Sequence, residues 1–182
     1  KPHNDTDCEL ALFHIGSMNW MPNEEGVKWF VDEVWPKVEE QLPDVKIYLA
    51  GREMPEWLNK LNKKNINVVG EVDNAHDFIS SKAISIAPLF SGSGIRIKII
   101  ESMALARAVI STTIGAEGIN ITNGENIIIA DNKDDFFEAI KILFSEPAKV
   151  EELGRKARLL IEEEHNTEKI ISKLEAFYRQ IL

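Results

Sequence analysis

Short apolar runs alternate with segments of helical spacing along almost the whole chain, and this alternation constrains the fold more than any other feature. Six runs have the length and composition of buried strands: residues 10–14, 46–50, 66–69, 83–87, 108–111 and 127–129. Between them apolar residues recur at helical spacing, as at Val27, Phe30, Val31 and Val34. The alternation predicts an α/β fold, namely a Rossmann-like doubly wound parallel sheet of about six strands.

Several helix boundaries can also be predicted. Asn23 is expected to cap the first helix, and Pro36 to kink or end it. A last helix is expected after a cap at Asn166 or Thr167. Apolar residues at helical spacing would form its buried side: Ile170, Ile171, Leu174, Phe177, Tyr178 and Ile181.

Composition limits the number of domains and the partners. A chain of 182 residues that is 44% hydrophobic is expected to form one domain over residues 1–182. Its net charge of −9 excludes general nucleic-acid binding, so a bound phosphate would need a local cationic pocket. The single cysteine, Cys8, and the lack of a signal peptide or membrane-spanning run favour a cytoplasmic protein. The chain begins at Lys1, and we interpret it as a piece of a longer protein.

The residues that follow the fourth run have the composition of a phosphate-binding turn. Gly92, Ser93 and Gly94 form a flexible turn, and Arg96 and Lys98 follow where a helix is expected to begin. Glycines let backbone N–H groups approach an anion, and the helix N-terminus and two cations add positive charge. The spacing fits neither a P-loop nor a dinucleotide fingerprint, and the alternation from Ile95 to Ile99 would also suit a strand or a solvated loop.

Topology points to the same turn. If the strand order is 3-2-1-4-5-6, a ligand should bind where the loops after strands one and four part, at residues 15–22 and 88–95. Gly16 and Ser17 would then lie beside the ligand, or form an ordinary strand-exit turn. Glu101 shares a helical face with Lys98, and would either accept hydrogen bonds from sugar hydroxyls or pair with Lys98. No zinc-binding spacing is present, and no metal is expected.

Two other residues in this region have more than one interpretation. His14 ends the first strand, and either lies in the interior or lines the pocket. Trp20 lies in the first crevice loop, where it would stack on a ligand or simply pack.

Three segments together carry a family resemblance: residues 14–26, residues 68–72 and above all residues 88–112. From about Leu10 onward the chain resembles the C-terminal, donor-binding domain of GT-B glycosyltransferases of the glycogen-synthase-like family 4. The resemblance implies a nucleotide-diphosphate sugar in the crevice. It also implies a separate N-terminal domain, absent from this chain, that supplies most of the acceptor site.

The resemblance assigns roles by matching position. Glu101 is similar to the second acid of the family's E-x7-E motif, which holds the ribose hydroxyls. Val72 and its neighbours resemble the loop that meets the base through backbone groups. Gly16 and the turn at Gly92 to Gly94 resemble the loops that approach the diphosphate and sugar.

The chain also departs from the family pattern. Ser93 stands where the first acid is expected, or Ser91 if the glycines are aligned. Ser17 and Glu25 occupy positions of the basic pair that normally grips the diphosphate. We therefore expect Arg96 and Lys98 to replace that pair.

The resemblance implies retaining, metal-independent transfer of a sugar to a glycan or other hydroxyl acceptor, in polysaccharide or glycoconjugate assembly. The nucleotide-diphosphate sugar would be the substrate, with no cofactor, and the full protein could associate peripherally with a membrane. The domain alone is expected to bind donor without turnover. The alternatives are a sugar-nucleotide epimerase of GT-B architecture and a non-catalytic Rossmann-like module for ligand binding or protein interaction.

Overall fold

Six parallel strands form one sheet in the computed structural model, which describes residues 8–165, 171, 174 and 177–179. The strands are β1 (Glu9–Ile15), β2 (Ile47–Ala50), β3 (Ile66–Gly70), β4 (Lys82–Ala87), β5 (Ala108–Ser111) and β6 (Ile128–Ile129). Their order is β3-β2-β1-β4-β5-β6, and every neighbouring pair is parallel. The predicted fold class is confirmed, the strand order is the one assumed from the usual doubly wound topology, and the winding direction reverses between β1 and β4.

Helices cover both faces of this sheet. They are α1 (Met21–Trp29), α2 (Trp35–Gln41), α3 (Glu56–Asn59), α4 (Ala75–Ser80), α5 (Ile97–Ala104), α6 (Lys133–Ser145) and α7 (Pro147–Glu164). One core cluster includes Phe30 and Phe136, and a second joins Ile99 and Met103 to α7. No helix within the described ranges is long and apolar enough to cross a bilayer.

The first helix begins earlier than the sequence indicated. Asn23 lies inside α1 and is buried, so the prediction that it caps the helix is wrong. Pro22 in the first turn favours an earlier start. The Asn23 amide is thereby directed into the loop after β1, where Nδ2 donates to the Ser17 carbonyl at 2.8 Å. The chain stays helical through Pro36, which lies in the first turn of α2, because a π-helical turn (Phe30–Val34) joins α1 to α2.

The segment from Ile95 to Ile99 is helical from Ile97 onward. Arg96 is extended, with φ −86° and ψ 98°, and it precedes the first turn of α5. Ile99 and Met103 are fully buried, whereas Ile97 is exposed. Burial of one helical face therefore outweighs the two-residue alternation, as the phosphate-turn interpretation requires.

Four apolar residues near the C-terminus are exposed rather than buried. Ile171, Leu174, Phe177 and Tyr178 are helical, and their exposed fractions run from 50% to 57%. The predicted burial of these four residues is wrong, because no described element of the chain packs over them. The predicted cap and the positions of Ile170 and Ile181 lie outside the described residues.

A glycine sets the distance between α1 and the loop after β4. A Cβ atom at Gly26 would lie 2.0 Å from the carbonyl oxygen of Pro88. The absence of a side chain at Gly26 thus lets α1 approach that loop closely. This contact brings Asn23 and the loops after β1 and β4 to one edge of the sheet.

Candidate functional site

The loops that leave β1 and β2 meet at two glycines at the carboxyl edge of the sheet. The Gly16 N–H donates to the Ala50 carbonyl at 3.0 Å, and Gly51, at φ +146°, lies against the Gly16 carbonyl. A Cβ atom at Gly16 would be 2.6 Å from Asn23 Nδ2 and 2.8 Å from Lys98 Nζ. The Lys98 ammonium therefore packs directly against the Gly16 backbone.

The Lys98 side chain extends from the first turn of α5 into this corner. Its Nζ donates to Asn23 Oδ1 and lies 3.5 Å from His14 Nε2. Burial, together with the positive charge of Arg96, lowers the pKa of Lys98 to about 7. The ion pair between Lys98 and Glu101 considered from the sequence is replaced by the bond to Asn23.

His14 lies in the interior, which is one of the two roles that its sequence position allowed. It is fully buried, and its Nδ1 lies 3.1 Å from the Ile86 carbonyl, so Nδ1 carries the proton and donates. Its unprotonated Nε2 then faces Lys98 as an acceptor. Burial, and next the charge of Lys98, holds the pKa of His14 well below its ordinary value.

Arg96 lies beneath the glycine turn. Only 5% of the residue is exposed, and its Nη1 donates to the carbonyls of Ser93, at 2.6 Å, and Gly94. Its guanidinium carbon is 5.4 Å from the centre of the Trp20 ring. The Nε and Nη2 groups are buried without a hydrogen-bond partner in the described structure. Unsatisfied buried donors are costly, so an acceptor bound at these two groups would be favourable.

The turn above Arg96 depends on glycine. Gly92 and Gly94 have φ values of +105° and +81°, a region that L side chains rarely adopt. A Cβ atom at Gly92 would lie 2.9 Å from Trp20 Cζ2 and 3.0 Å from Arg96 Nη2. Trp20 therefore packs on this turn and on Arg96, which is the packing role weighed for it from the sequence.

Glu101 lies beside a cavity rather than beside Lys98. The cavity has a volume of about 320 Å³ and is lined by His76, Ile79, Glu101, Ala104 and Leu105. Its position between α4 and α5 places an exposed carboxylate next to apolar side chains.

Val72 is half-buried on the same side of the sheet as this cavity. It packs against the cluster that contains Phe78 and Ile79 and that also contacts Leu105. Two of the cavity's lining residues, Ile79 and Leu105, therefore pack in the same cluster as Val72.

The sequence-derived site residues thus fall into two neighbouring groups. One group surrounds the crevice between β1 and β4: Gly16, Ser17, Gly92, Ser93, Gly94, Arg96 and Lys98. The other, Val72 and Glu101, belongs to the α4 side of the sheet. Within the described residues no group of three or more His, Cys, Asp or Glu side chains could hold a metal ion.

Asn23 is the residue that the sequence interpretation missed. It links the Ser17 carbonyl to Lys98, so it orders the crevice from the side of α1. The sequence does show a polar residue just after the loop that leaves β1. A helix cap has the same appearance in the sequence, so the two roles could not be told apart. Ser17 contributes its carbonyl to Asn23, while its Oγ donates to Asn19 at 2.9 Å.

The family model for glycosyl transferases group 1 matches residues 9–146, which is most of the chain. The chain therefore belongs to this family. A curated relative from Klebsiella pneumoniae, an uncharacterized 44.6 kDa protein in the cps region, is 26% identical over 181 residues. That match covers 92% of this chain and 45% of the relative, so the chain spans less than half of the relative's length.

Solved structures show the same fold. The C-terminal domain of the glycosyl transferase LpcC from Francisella tularensis has a TM-score of 0.70 and 17% identity, over 90% of both chains. HepE from Anabaena, solved in complex with UDP, has a TM-score of 0.73 and 10% identity, over 97% of this chain and 50% of HepE. Another HepE structure contains UDP-glucose.

Proposed function

We propose that residues 1–182 form the donor-binding domain of a glycosyltransferase and bind a nucleotide-diphosphate sugar in the crevice between β1 and β4. The observation that carries the proposal is the pair of cations at this crevice, Arg96 and Lys98, whose hydrogen bonds in the described structure all go to neutral groups. In a chain of net charge −9, such a pair is suited to an anionic ligand.

The diphosphate would lie between the two cations. Arg96 offers Nε and Nη2, which lack an acceptor in the described structure, and Lys98 offers its ammonium from the opposite wall. The N-terminus of α5 and the backbone of the Gly92 to Gly94 turn add partial positive charge. These groups would take the place of the family's usual basic pair.

The nucleoside would lie toward the neighbouring cavity. The Glu101 carboxylate would accept hydrogen bonds from ribose hydroxyls, and backbone groups near Val72 would contact the base. The apolar side chains of Ile79, Ala104 and Leu105 suit the less polar faces of a nucleoside. The complexes of HepE with UDP and UDP-glucose make uridine nucleotides the first ligands to test.

The chemical contribution of the domain would be to stabilise the leaving diphosphate by fixed positive charge. We propose retaining, metal-independent transfer to a hydroxyl acceptor of a glycan or glycoconjugate. A preceding domain would supply the acceptor site, and the domain alone would bind donor without turnover. For the full protein we propose a cytoplasmic location with peripheral membrane contact.

Calorimetric titration with UDP-glucose tests the role of the two cations. Arg96→Ala and Lys98→Ala should each weaken binding by about 10-fold or more, because each removes a charge-assisted hydrogen bond worth about 1.5–3 kcal/mol. Lys141→Ala, which removes an exposed cation on α6, serves as the control and should leave affinity unchanged. Unchanged affinity in both site variants would contradict the proposal.

Incubation of the full-length protein with a panel of sugar nucleotides and acceptors tests the reaction. Transfer of the sugar with retention supports the proposed function. Inversion at C2 of the sugar would instead indicate the epimerase, and binding without any turnover would indicate the non-catalytic module.

A further inference from the structure

The Lys98 ammonium has neutral neighbours, and no carboxylate bonds to it in the part of the chain that the structure describes. Its hydrogen-bonding neighbours are the Asn23 amide of α1 and the His14 imidazole of β1. The Gly16 backbone closes the third side. Arg96, which precedes α5, is the charged group that acts on it, and its positive charge repels the ammonium. The protonated form of Lys98 is thus poorly compensated.

His14 is fixed in the orientation that serves Lys98. Its Nδ1–H donates to the buried Ile86 carbonyl, which leaves the Nε2 lone pair directed at the Lys98 Nζ atom. The imidazole has no room to turn, because the residue is fully buried. Its lowered pKa favours the neutral imidazole, which accepts at Nε2. The fixed imidazole thus helps to hold the flexible Lys98 side chain in one position.

Building on the proposed function, we propose that His14 is a positioning residue that, together with Asn23, holds the Lys98 amine where no negative charge compensates its protonated form, so that donor binding is coupled to proton uptake. The diphosphate supplies the missing negative charge. The lone pair of the Lys98 amine takes one proton from the solvent, and no bond in the ligand breaks.

The direction of the pH dependence follows from this coupling. With a pKa of about 7 in the free protein, Lys98 is mostly protonated at pH 6 and mostly neutral at pH 8. A bound anion raises that pKa, so binding at pH 8 must also protonate the amine. The affinity is then highest near pH 6 and falls about 10-fold between pH 6 and pH 8.

Calorimetry of UDP-glucose binding to this chain measures the coupling. UDP-glucose is the suitable probe because its diphosphate is esterified at both ends, whereas a free terminal phosphate titrates near pH 6. Titrations at pH 6, 7 and 8 in buffers of different ionisation enthalpy report the number of protons taken up. We expect about 0.9 proton per bound ligand at pH 8 and about 0.1 at pH 6.

Variants separate positioning from packing. Lys98→Met should bind more weakly, with no pH dependence and no proton uptake, while Lys141→Met should behave as the wild type. His14→Leu removes the acceptor and should move the fall in affinity to lower pH. His14→Gln, whose Oε1 can replace Nε2 as acceptor, should restore the wild-type profile, and His165→Gln serves as its control. A lost packing contact alone would weaken binding equally at every pH.

The titrations test three things separately: the coupling to proton uptake, the role of His14 and the proposed function. Equal affinity at pH 6 and pH 8 without proton uptake overturns the coupling and leaves the proposed function standing. A wild-type pH profile in a folded His14→Leu variant overturns the role of His14. Failure of both UDP-glucose and GDP-mannose to bind at any pH overturns the proposed function and this inference with it. The wild-type titration decides the coupling even if the His14 variants fail to fold.

Discussion

Glu101 and Lys98 lie three residues apart on one helix, yet they have different surroundings. Lys98 is drawn into the corner formed by Gly16 and Asn23, whereas Glu101 stays exposed beside the cavity between α4 and α5. This separation leaves the carboxylate available for hydroxyl groups and keeps it from neutralising the cation. The proposed site therefore has a diphosphate side and a ribose side.

Replacement of Glu101 tests the ribose side. Glu101→Gln removes the charge but retains the shape, so a charge-assisted hydrogen bond to ribose becomes a weaker neutral one. We expect UDP to bind about 10-fold more weakly, and the preference for UDP over 2′-deoxy-UDP to shrink. Competition binding with both nucleotides measures the change. Glu138→Gln, on the exposed surface of α6, should alter neither affinity.

Gly92 tests the turn above Arg96. Gly92→Ala introduces both a strained φ and contacts closer than normal with Trp20 and Arg96. Gly124→Ala carries a similar φ of +78°, but nothing lies within 4 Å of its Cβ position. Both changes should lower the free energy of unfolding by about 1–2 kcal/mol. Only Gly92→Ala should also weaken UDP-glucose binding. Thermal unfolding measures the stability of both variants, and calorimetry measures their affinity. Equal affinities of the two variants for UDP-glucose would count against a role for this turn.

At the scale of elements, two glycines in helices provide a matched comparison. A Cβ atom would meet a backbone carbonyl oxygen at 2.0 Å from Gly26 of α1 and at 2.1 Å from Gly154 of α7. Each Gly→Ala change should destabilise the fold by about 1–3 kcal/mol. Gly26→Ala should also displace Asn23 and weaken donor binding, whereas Gly154→Ala, whose neighbour is Ala106, should spare binding. Loss of affinity in both variants would show that binding follows overall stability rather than the placement of α1.

The elements themselves were largely predictable because burial of parallel strands imposes continuous apolar runs. The boundaries predicted for β5 agree with the structure, and those predicted for the other strands differ by one residue at one end or at both. The start of α1 was not predictable from Asn23, since the same residue type serves as a helix cap and as a buried amide. The exposed residues near Phe177 show a related limit: helical spacing identifies an apolar face, but it does not say what covers that face.

The placement of residues around the switch point was predictable, and their contacts were predictable only in part. The glycine turn and the switch point between β1 and β4 could be inferred because both depend on local sequence and strand order. The environment of Lys98 could not be inferred, since it depends on how closely α1 and β1 approach α5. His14 and Asn23 are separated from Lys98 by 84 and 75 residues in the chain.

At the scale of the whole molecule, the charge distribution is the distinctive property. The chain carries a net charge of −9, while Arg96 and Lys98 place positive charge at one edge of the sheet. The salt bridges in the described structure are dominated by exposed pairs, which contribute little to stability. In the crevice, by contrast, Arg96 and Lys98 bond to neutral groups.

A crystal structure of this chain with UDP-glucose would show directly whether the two cations bind the diphosphate. We expect diphosphate oxygens within hydrogen-bond distance of the Arg96 guanidinium and the Lys98 ammonium, with the ribose hydroxyls at Glu101. A ligand bound at another surface, or a diphosphate in the crevice that contacts neither cation, would contradict this expectation.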